Sequence, residues 1–240
     1  MISYLERPKG ATSAEASLDG GATWRRCVPI TFTAENAQKC FDGSKTQTRR
    51  LMNPQPSENF IGEGAAAWFN PSKVDRRTGE IFPGKKIFGV ADENEHHIPR
   101  YRIGDTLWIQ EPWRTLQCFD GIKPSRLIDD ALIHYEGTNT ENDFGKLRPA
   151  RFMPRRFSRP ARYEVTGVKC ERVNKISEAD AMAEGCLGTL DDESHVNLHD
   201  DSPSAACLEF ERLWNSIHTK PVTRFDDGPW VWAYEFRMVK

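Results

Sequence analysis

Residues 42–50, with the sequence DGSKTQTRR, combine a lysine, two threonines and two arginines in one short stretch. A threonine hydroxyl is an effective nucleophile only when a base lies beside it. A lysine amine is such a base only where burial or a neighbouring cation lowers its pKa. The presence of Lys45 and Thr48 in this stretch therefore has two interpretations. They are either placed for chemistry or part of a solvent-facing strand, since threonine favours strands and lysine protects sheet edges.

The local geometry decides whether Lys45 and Thr48 can act together. The predicted strand covers residues 45–51, and side chains three positions apart in a regular strand point to opposite faces. Both can line one pocket if the strand starts at about Thr46, which leaves Lys45 in the turn, or if the strand bulges. The Gly43-Ser44 turn favours the first arrangement.

Positive charge is concentrated between residues 146 and 162, which include seven basic residues and no acid. Phe152 and Phe157 lie within this segment, and aromatic residues among arginines are typical of a nucleic-acid or nucleotide surface. A solvated loop is the alternative interpretation. The side chains predicted to contact phosphates are Arg155, Arg156, Arg159 and Arg162.

The segment QEPWR follows a predicted strand and supplies two further candidates. Trp113 is predicted to stack on a base, and Glu111 to accept a hydrogen bond from a base amino group. The alternatives are a packed tryptophan and a surface glutamate.

The cysteines and histidines form no recognisable metal motif. The six cysteines are widely spaced with no C-x-x-C pair, which favours reduced thiols in a cytoplasmic protein. His195 and His199 have a metal-like spacing only in a helix, and the acidic segment 187–204 around them has little helical character. We therefore expect no metal and no cofactor.

The composition is typical of a soluble protein without a membrane partner. Of the 240 residues, 38% are hydrophobic and 28% charged, the net charge is −2, and no apolar run approaches the length of a membrane helix. Residues 1–26 are rich in Gly, Ala, Ser and charge and carry no secretory signal. We expect them to form a poorly ordered arm.

Residues 27–240 are expected to form a single domain of the α+β, mostly β class. Short strands and short helices follow one another without regular alternation, and no Gly-rich phosphate loop follows a strand. A small mixed or antiparallel barrel flanked by short helices fits this pattern. Predicted helices cover 34–43, 176–185 and 205–218; predicted strands cover 28–33, 45–51, 161–173 and 230–239, with another from Thr106; loop-rich insertions cover 53–100 (with a hairpin at 79–90), 115–147 and 187–204.

Five stretches, in this order, resemble the ASCH domain, a branch of the PUA-like β-barrels. They are FDGSKTQTRR, YRIGDTLWI, ARYEVTGVKCERVNKISEADAMAEG, LEFERLWNSI and WVWAYEFRMV, and together they cover roughly half of the chain. The combination of Lys-Thr-x-Thr, a downstream Gly-Asp and a terminal aromatic-x-x-Glu-Phe is specific, whereas each element alone is weak. The longer form, with RFMPRR and LWNSI, looks like ASCH proteins of bacterial viruses and prophages.

The resemblance implies a PUA-like barrel that binds RNA, DNA or a modified nucleoside. One type of small bacterial ASCH enzyme removes the acetyl group from N4-acetylcytidine, and its catalytic residues correspond to Lys45, Thr48 and Glu184. Arg49 stands where the family often has an apolar residue, and Arg50 takes the usual arginine position; both are expected at the ligand site. The alternatives are a non-catalytic nucleic-acid-binding module, a host-interaction module of a bacterial virus, and a nuclease.

Overall fold

The computed structural model describes residues 15–17, 24–75, 77–138, 144–188 and 203–239. His195, His199 and most of the acidic segment 187–204 lie outside the described residues, as does most of the N-terminal arm. The strands are β1 (Glu15–Ser17), β2 (Trp24–Thr31), β3 (Gln47–Leu51), β4 (Gly64–Ala65), β5 (Ala67–Phe69), β6 (Ser72–Val74), β7 (Ile81–Pro83), β8 (Ile87–Ala91), β9 (His96–His97), β10 (Thr106–Gln110), β11 (Trp113–Thr115), β12 (Ile133–Tyr135), β13 (Arg162–Arg172) and β14 (Trp230–Val239). The α-helices are α1 (Ala34–Phe41), α2 (Glu178–Ala183) and α3 (Ala205–Ile217).

Side-chain caps start these helices. Thr33, Ser177 and Ser204 each accept a hydrogen bond from the backbone N–H three residues further on, which satisfies one of the unpaired donors of a helix N-terminus. The predicted cap at Ser177 is confirmed. Gly185, with a φ of +85°, follows the end of α2 as expected. Among the described helices, none is long and apolar enough to cross a membrane.

The chain divides into two compact units, of which the first comprises Met1–Lys45, Gly104–Val165 and Phe236–Lys240. Its strand order is β1-β2-β10-β13, with β10 parallel to β2 and antiparallel to β13. Ile30 and Ile109 lie opposite each other on neighbouring strands, and both are buried. The pairing of β1 with the start of β2 falls within the predicted arm, so part of residues 1–26 has regular structure.

The second unit comprises Thr46–Ile103 and Thr166–Glu235. In it, β14 lies between β3 and β13, and β4 pairs with β13. A core cluster joins α2, α3 and β14 through Ala181, Phe210 and Val231. Burying side chains such as Phe210 and Val231 contributes about 1.5–3 kcal/mol each, so this cluster fixes both helices to the sheet.

The α+β, mostly β class is confirmed. The expected barrel differs from the structure, because among the described residues no sheet closes on itself. Closure requires every strand to have two neighbours, whereas β1 and β3 each pair with one strand.

Residues 53–100 contain more regular structure than the loops expected there. β5, β8 and β9 form a three-stranded sheet, and β6 pairs with β7. The predicted hairpin at 79–90 is wrong, because β7 and β8 pair with β6 and β5 rather than with each other. The Gly84 N–H donates to Pro71 O at 2.7 Å, which keeps the chain beside β6 after β7 ends.

Each unit contains two buried cysteines, of which one in each lies on a strand of the main sheet. Cys27 lies on β2 of the first unit, and Cys170 on the part of β13 that belongs to the second. Burial raises the pKa of both thiols, to about 12 for Cys170. The Cys170 Sγ donates to the Met52 Sδ at 3.4 Å.

Candidate functional site

Lys45 lies in the turn before β3, which confirms the arrangement favoured by Gly43 and Ser44. Gly43 has a φ of +84°, a conformation that side chains with a Cβ rarely adopt. The Lys45 N–H then donates to Lys39 O at 2.9 Å. The strand itself begins at Gln47, two positions later than expected. Lys45 is therefore not subject to the alternation of faces along β3.

The Lys45 side chain is buried, with an exposed fraction of 3%. Its ammonium lies 5.9 Å from the centroid of the Phe32 ring, at the outer limit of a cation–π contact. Lysine is almost never buried to this extent in an edge strand that faces solvent. The solvent-facing interpretation therefore does not hold for this residue.

Thr48 is also buried, and it lies opposite Tyr234 in the antiparallel pairing of β3 with β14. The Tyr234 hydroxyl accepts a hydrogen bond from the Arg100 N–H at 3.2 Å, and its ring meets Tyr101 edge-on at 5.0 Å. Burial raises the pKa of Tyr234, so the phenol stays protonated near neutral pH. Directly opposed residues in an antiparallel pair have Cβ atoms about 4.5–5.5 Å apart, so the buried side chain of Thr48 lies beside that of Tyr234.

Arg50 shares the Thr48 face of β3, because side chains alternate along a strand. Burial lowers the pKa of Arg50, while Tyr101 and Glu184 act in the opposite direction. An arginine nevertheless stays charged at neutral pH. Arg50 thus supplies a fixed positive charge to the face that carries Thr48.

Arg49 points to the other face of β3 and is completely enclosed. Its guanidinium donates to Glu171 Oε1 at 2.8 Å, to Asp180 Oδ2 at 3.0 Å and to Glu184 Oε1 at 3.3 Å. The Gln47 Oε1 accepts a further hydrogen bond from it. Arg49 is thus committed to internal ion pairs, and the geometry gives it a positioning role rather than the predicted contact with a ligand.

Glu184 is held at the end of α2, where it is the C-terminal cap residue and is 3% exposed. Besides the ion pair with Arg49, the backbone fixes its position. The Thr46 N–H donates to Ala183 O at 2.8 Å, which ties the beginning of β3 to the last residue of α2. The interpretation of Glu184 as a solvated helix end therefore does not hold.

Asp180, one turn before Glu184, completes the carboxylates around Arg49. Burial alone raises the pKa of Asp180, but a hydrogen bond from Gln47 and the charges of Arg49 and Lys169 outweigh it, so the pKa lies below its ordinary value. Lys169 also contacts Glu171, with Nζ at 2.6 Å from Oε2. The group is therefore a network of two cations and three carboxylates, all in the second unit.

Fully buried Glu111 and half-buried Arg159 form a separate ion pair in the first unit. The Arg159 Nη2 donates to Glu111 Oε2 at 2.9 Å, and Glu111 is fully buried. The guanidinium lies 4.2 Å from the Phe41 ring centroid and 4.8 Å from that of Tyr135. Burial raises the pKa of Glu111, and the charge of Arg159 opposes this rise. Among the described residues, neither Glu111 Oε1 nor the Tyr163 hydroxyl has a hydrogen-bond partner.

Trp113 is fully buried and is part of an apolar cluster. Its ring centroid lies 5.8 Å from that of Phe157, and the Arg148 guanidinium lies 5.3 Å from it. This burial leaves no ring face for a base, so the arrangement is that of the packed tryptophan. Glu111, in contrast, matches neither sequence interpretation, because it is buried without being open to a ligand.

The basic segment 146–162 is used mainly inside the first unit. Arg156 donates to Leu127 O at 3.0 Å and pairs with Asp129, and Arg162 donates to Arg159 O at 3.2 Å. Arg155 is half-buried in a single 3-10 turn, and its guanidinium makes no hydrogen bond to the described residues. Of the predicted phosphate contacts, Arg155 is therefore the one that the geometry leaves available.

Several residues of these sites were not predicted. Asp180 and Glu184 are four apart on α2, and that spacing was a signal that both carboxylates share one side of the helix. The contributions of Glu171 and Lys169 had no such signal, because β13 is distant from both β3 and α2 in the sequence. Exposed Phe152, with the Arg151 guanidinium 4.8 Å from its ring centroid, was visible only as part of the basic segment.

Among the described residues, no group of three or more His, Cys, Asp or Glu side chains is arranged to hold a metal ion. Comparisons of the chain with protein-family models, curated proteins and solved structures find no match. The functional argument therefore rests on the residues and on their geometry.

Proposed function

We propose that the chain is an ASCH-type protein of the PUA-like class that binds a modified nucleoside and hydrolyses an N4-acylcytidine-type amide with Lys45, Thr48 and Glu184. One observation carries the proposal. All three side chains are 3–4% exposed, although each belongs to a polar residue type that is mostly exposed in proteins. A charged edge strand and a solvated helix end, the competing interpretations, require these side chains to face water.

In the proposed reaction, the Thr48 hydroxyl is the nucleophile and the Lys45 amine takes up its proton. The oxygen forms a bond to the amide carbonyl carbon, and the carbon–nitrogen bond to the cytosine N4 then breaks. Lys45 passes the proton that it took up to the leaving amine. Glu184, which is ion-paired with Arg49, is the proposed group that orients Lys45. Water then hydrolyses the threonine ester, which releases the carboxylic acid.

Chromatographic detection of cytidine released from N4-acetylcytidine tests this activity. We expect wild-type protein to turn over the substrate, and Lys45→Ala and Thr48→Val to lower the rate by at least ~100-fold, the usual effect of losing a general base or nucleophile. Thr46→Val is the matched control, because Thr46 lies in the same stretch but is exposed. Its rate should be unchanged.

A conservative variant separates catalysis from folding. Thr48→Ser keeps the hydroxyl and should retain part of the rate, while circular dichroism shows whether each variant is folded. Absence of turnover by wild-type protein would contradict the proposed enzymatic activity. Equal rates in Thr48→Val and Thr46→Val would contradict it as well.

A second candidate, nucleic-acid binding without catalysis, is supported by one surface feature. Phe152 is 53% exposed and carries the Arg151 guanidinium beside its ring, and Arg155 follows in the same segment. Such a pair can stack on bases and neutralise phosphates. Fluorescence anisotropy with a labelled single-stranded oligonucleotide should give an affinity that falls with salt and falls further in the Arg151→Gln/Arg155→Gln variant. An affinity indifferent to both would count against this surface.

A further inference from the structure

A cavity of about 700 Å³ in the second unit is not used by the residues discussed so far. It is lined on one side by the chain that follows β3 and on the other by the end of α3 and the turn after it. Its polar lining consists of Asn53, Gln55, His218, Thr219, Lys220 and Thr223, and the rest is apolar. The volume is in the usual range for small-molecule sites.

The electrostatics of this cavity favour an anion. None of the side chains that line it is acidic. The Lys220 ammonium is exposed and makes neither a hydrogen bond nor an ion pair with the described part of the chain. Burial together with the charge of Arg50 lowers the pKa of His218, so the positive field of Arg50 reaches this side of the unit.

The turn that carries Lys220 is anchored to α3. The Trp214 Nε1–H donates to Thr223 O at 2.9 Å, and the Phe225 N–H donates to Asn215 Oδ1 at the same distance. The ring of His218 packs on Trp214 with 4.0 Å between the centroids. Contacts with Trp214 of α3 therefore fix the positions of two polar residues of the cavity, Thr223 and His218.

The same turn stores backbone strain. Val222 has a φ of +61°, a conformation that is strained for a β-branched residue. The Thr223 N–H and hydroxyl both donate to Lys220 O, at 3.2 and 2.7 Å, and close the turn around this residue. Backbone strain of this kind is found preferentially at ligand sites.

The geometry points to a phosphate-binding site in this cavity. Lys220 supplies positive charge, which offsets the partial negative charge at the C-terminal end of α3. The imidazole of His218, whose pKa is lowered, supplies an N–H donor in its neutral form. The Thr219 hydroxyl and the Asn53 amide supply hydrogen-bond donors. Leu51, the last residue of β3, lines the cavity three positions after Thr48. The site therefore deepens the proposed function and rests on it for the identity of the ligand: the substrate is a nucleotide or an oligonucleotide rather than a free nucleoside.

Titration calorimetry on the full chain tests the site without relying on turnover. We expect cytidine 5′-monophosphate to bind about tenfold more tightly than cytidine, the effect of one charge-assisted contact. Lys220→Gln should remove most of this difference. Lys85→Gln is the matched control, because Lys85 is an exposed lysine of the same unit outside the cavity, and it should bind like wild type.

The two sources of phosphate give different results. If inorganic phosphate binds as tightly as the nucleotide and with the same dependence on Lys220, the site is retained but the nucleotide assignment is overturned. If the nucleotide binds no better than cytidine, or Lys220→Gln binds like wild type, the site itself is overturned. A protein that binds the nucleotide through Lys220 but releases no cytidine from N4-acetylcytidine would keep the site and reject the proposed activity.

Discussion

Two arginines that form internal ion pairs, fully buried Arg49 and half-buried Arg159, are accommodated in different ways in the two units. Arg49 has a fully enclosed side chain surrounded by three carboxylates, whereas the Arg159 side chain is 15% exposed and has a single carboxylate, Glu111. Two aromatic rings, Phe41 and Tyr135, cover the guanidinium of Arg159 instead. An enclosed guanidinium is thus stabilised either by several carboxylates or by one carboxylate together with two ring faces.

The carboxylates beside the two arginines have pKa values shifted in opposite directions. Burial acts to raise the pKa of Asp180, but a hydrogen bond from Gln47 and the charges of Arg49 and Lys169 hold it below its ordinary value. Around Arg159 burial prevails, and the pKa of Glu111 is raised. The Arg49 network is therefore expected to act as a rigid support for Glu184, and the Arg159 pair as a group whose protonation responds to pH.

The largest expected effect on stability is that of removing the guanidinium of Arg49, which three carboxylates surround. Arg49→Met leaves Glu171, Asp180 and Glu184 close together without the guanidinium, and we expect it to lower the free energy of unfolding by about 3–5 kcal/mol. Urea denaturation followed by circular dichroism measures this. Arg237→Met is the control, because Arg237 is an exposed residue paired with Glu164, and it should cost about 1 kcal/mol or less. Equal costs for the two variants would show that the network contributes no more than a surface pair.

A smaller effect on stability is expected when Arg159, whose guanidinium is covered by two aromatic rings, is replaced. Arg159→Met removes one ion pair but leaves a flexible apolar side chain that still packs between Phe41 and Tyr135. Glu111 can take up a proton once the guanidinium is gone, so the cost should be about 1–3 kcal/mol. The same urea denaturation measures this loss in the free energy of unfolding. A loss as large as that of Arg49→Met would remove the distinction between the two sites.

The smallest effect concerns pH. The pKa of Glu111 is raised above 4.5, so the folded state holds its proton more tightly than the unfolded chain does. Its contribution to stability is therefore present below pH 4.5 and is lost as the pH rises through the folded-state pKa. Glu111→Gln removes this titration while keeping the side-chain shape.

Unfolding free energies of wild type and Glu111→Gln at pH 4.5 and pH 8 provide the measurement, with the lower pH chosen at the ordinary value of a glutamate. Wild type should lose stability relative to the variant at the higher pH. A difference between the two proteins that stays constant with pH would show that Glu111 does not change its protonation over this range.

Local features of the candidate site could be predicted from the sequence. Gly43 and Ser44 indicated that Lys45 precedes the strand, and Ser177 with Asp180 indicated where α2 begins. Both are decided by backbone conformations and hydrogen bonds between residues close in the chain. The burial of Lys45, Thr48 and Glu184 followed only from the family resemblance, because their residue types favour exposure.

Contacts between distant segments could not be predicted. Arg49 was expected to meet a ligand, but β3, β13 and α2 bring it to three carboxylates whose partners no local spacing encodes. For Trp113 the sequence left base stacking and core packing both open, and it is Phe157 and Arg148, from another segment, that enclose the ring. The individual short strands of residues 53–100 were not predicted, because short segments with several prolines and glycines carry little periodicity.

The buried thiols of Cys27 and Cys170 have a practical consequence. Only a thiolate reacts readily with an alkylating reagent, and burial makes this form scarce at both positions. Each cysteine should therefore become labelled only when its own unit opens. Mass spectrometry of the two peptides over time can thus show, without any substitution, whether the two units unfold together or one after the other.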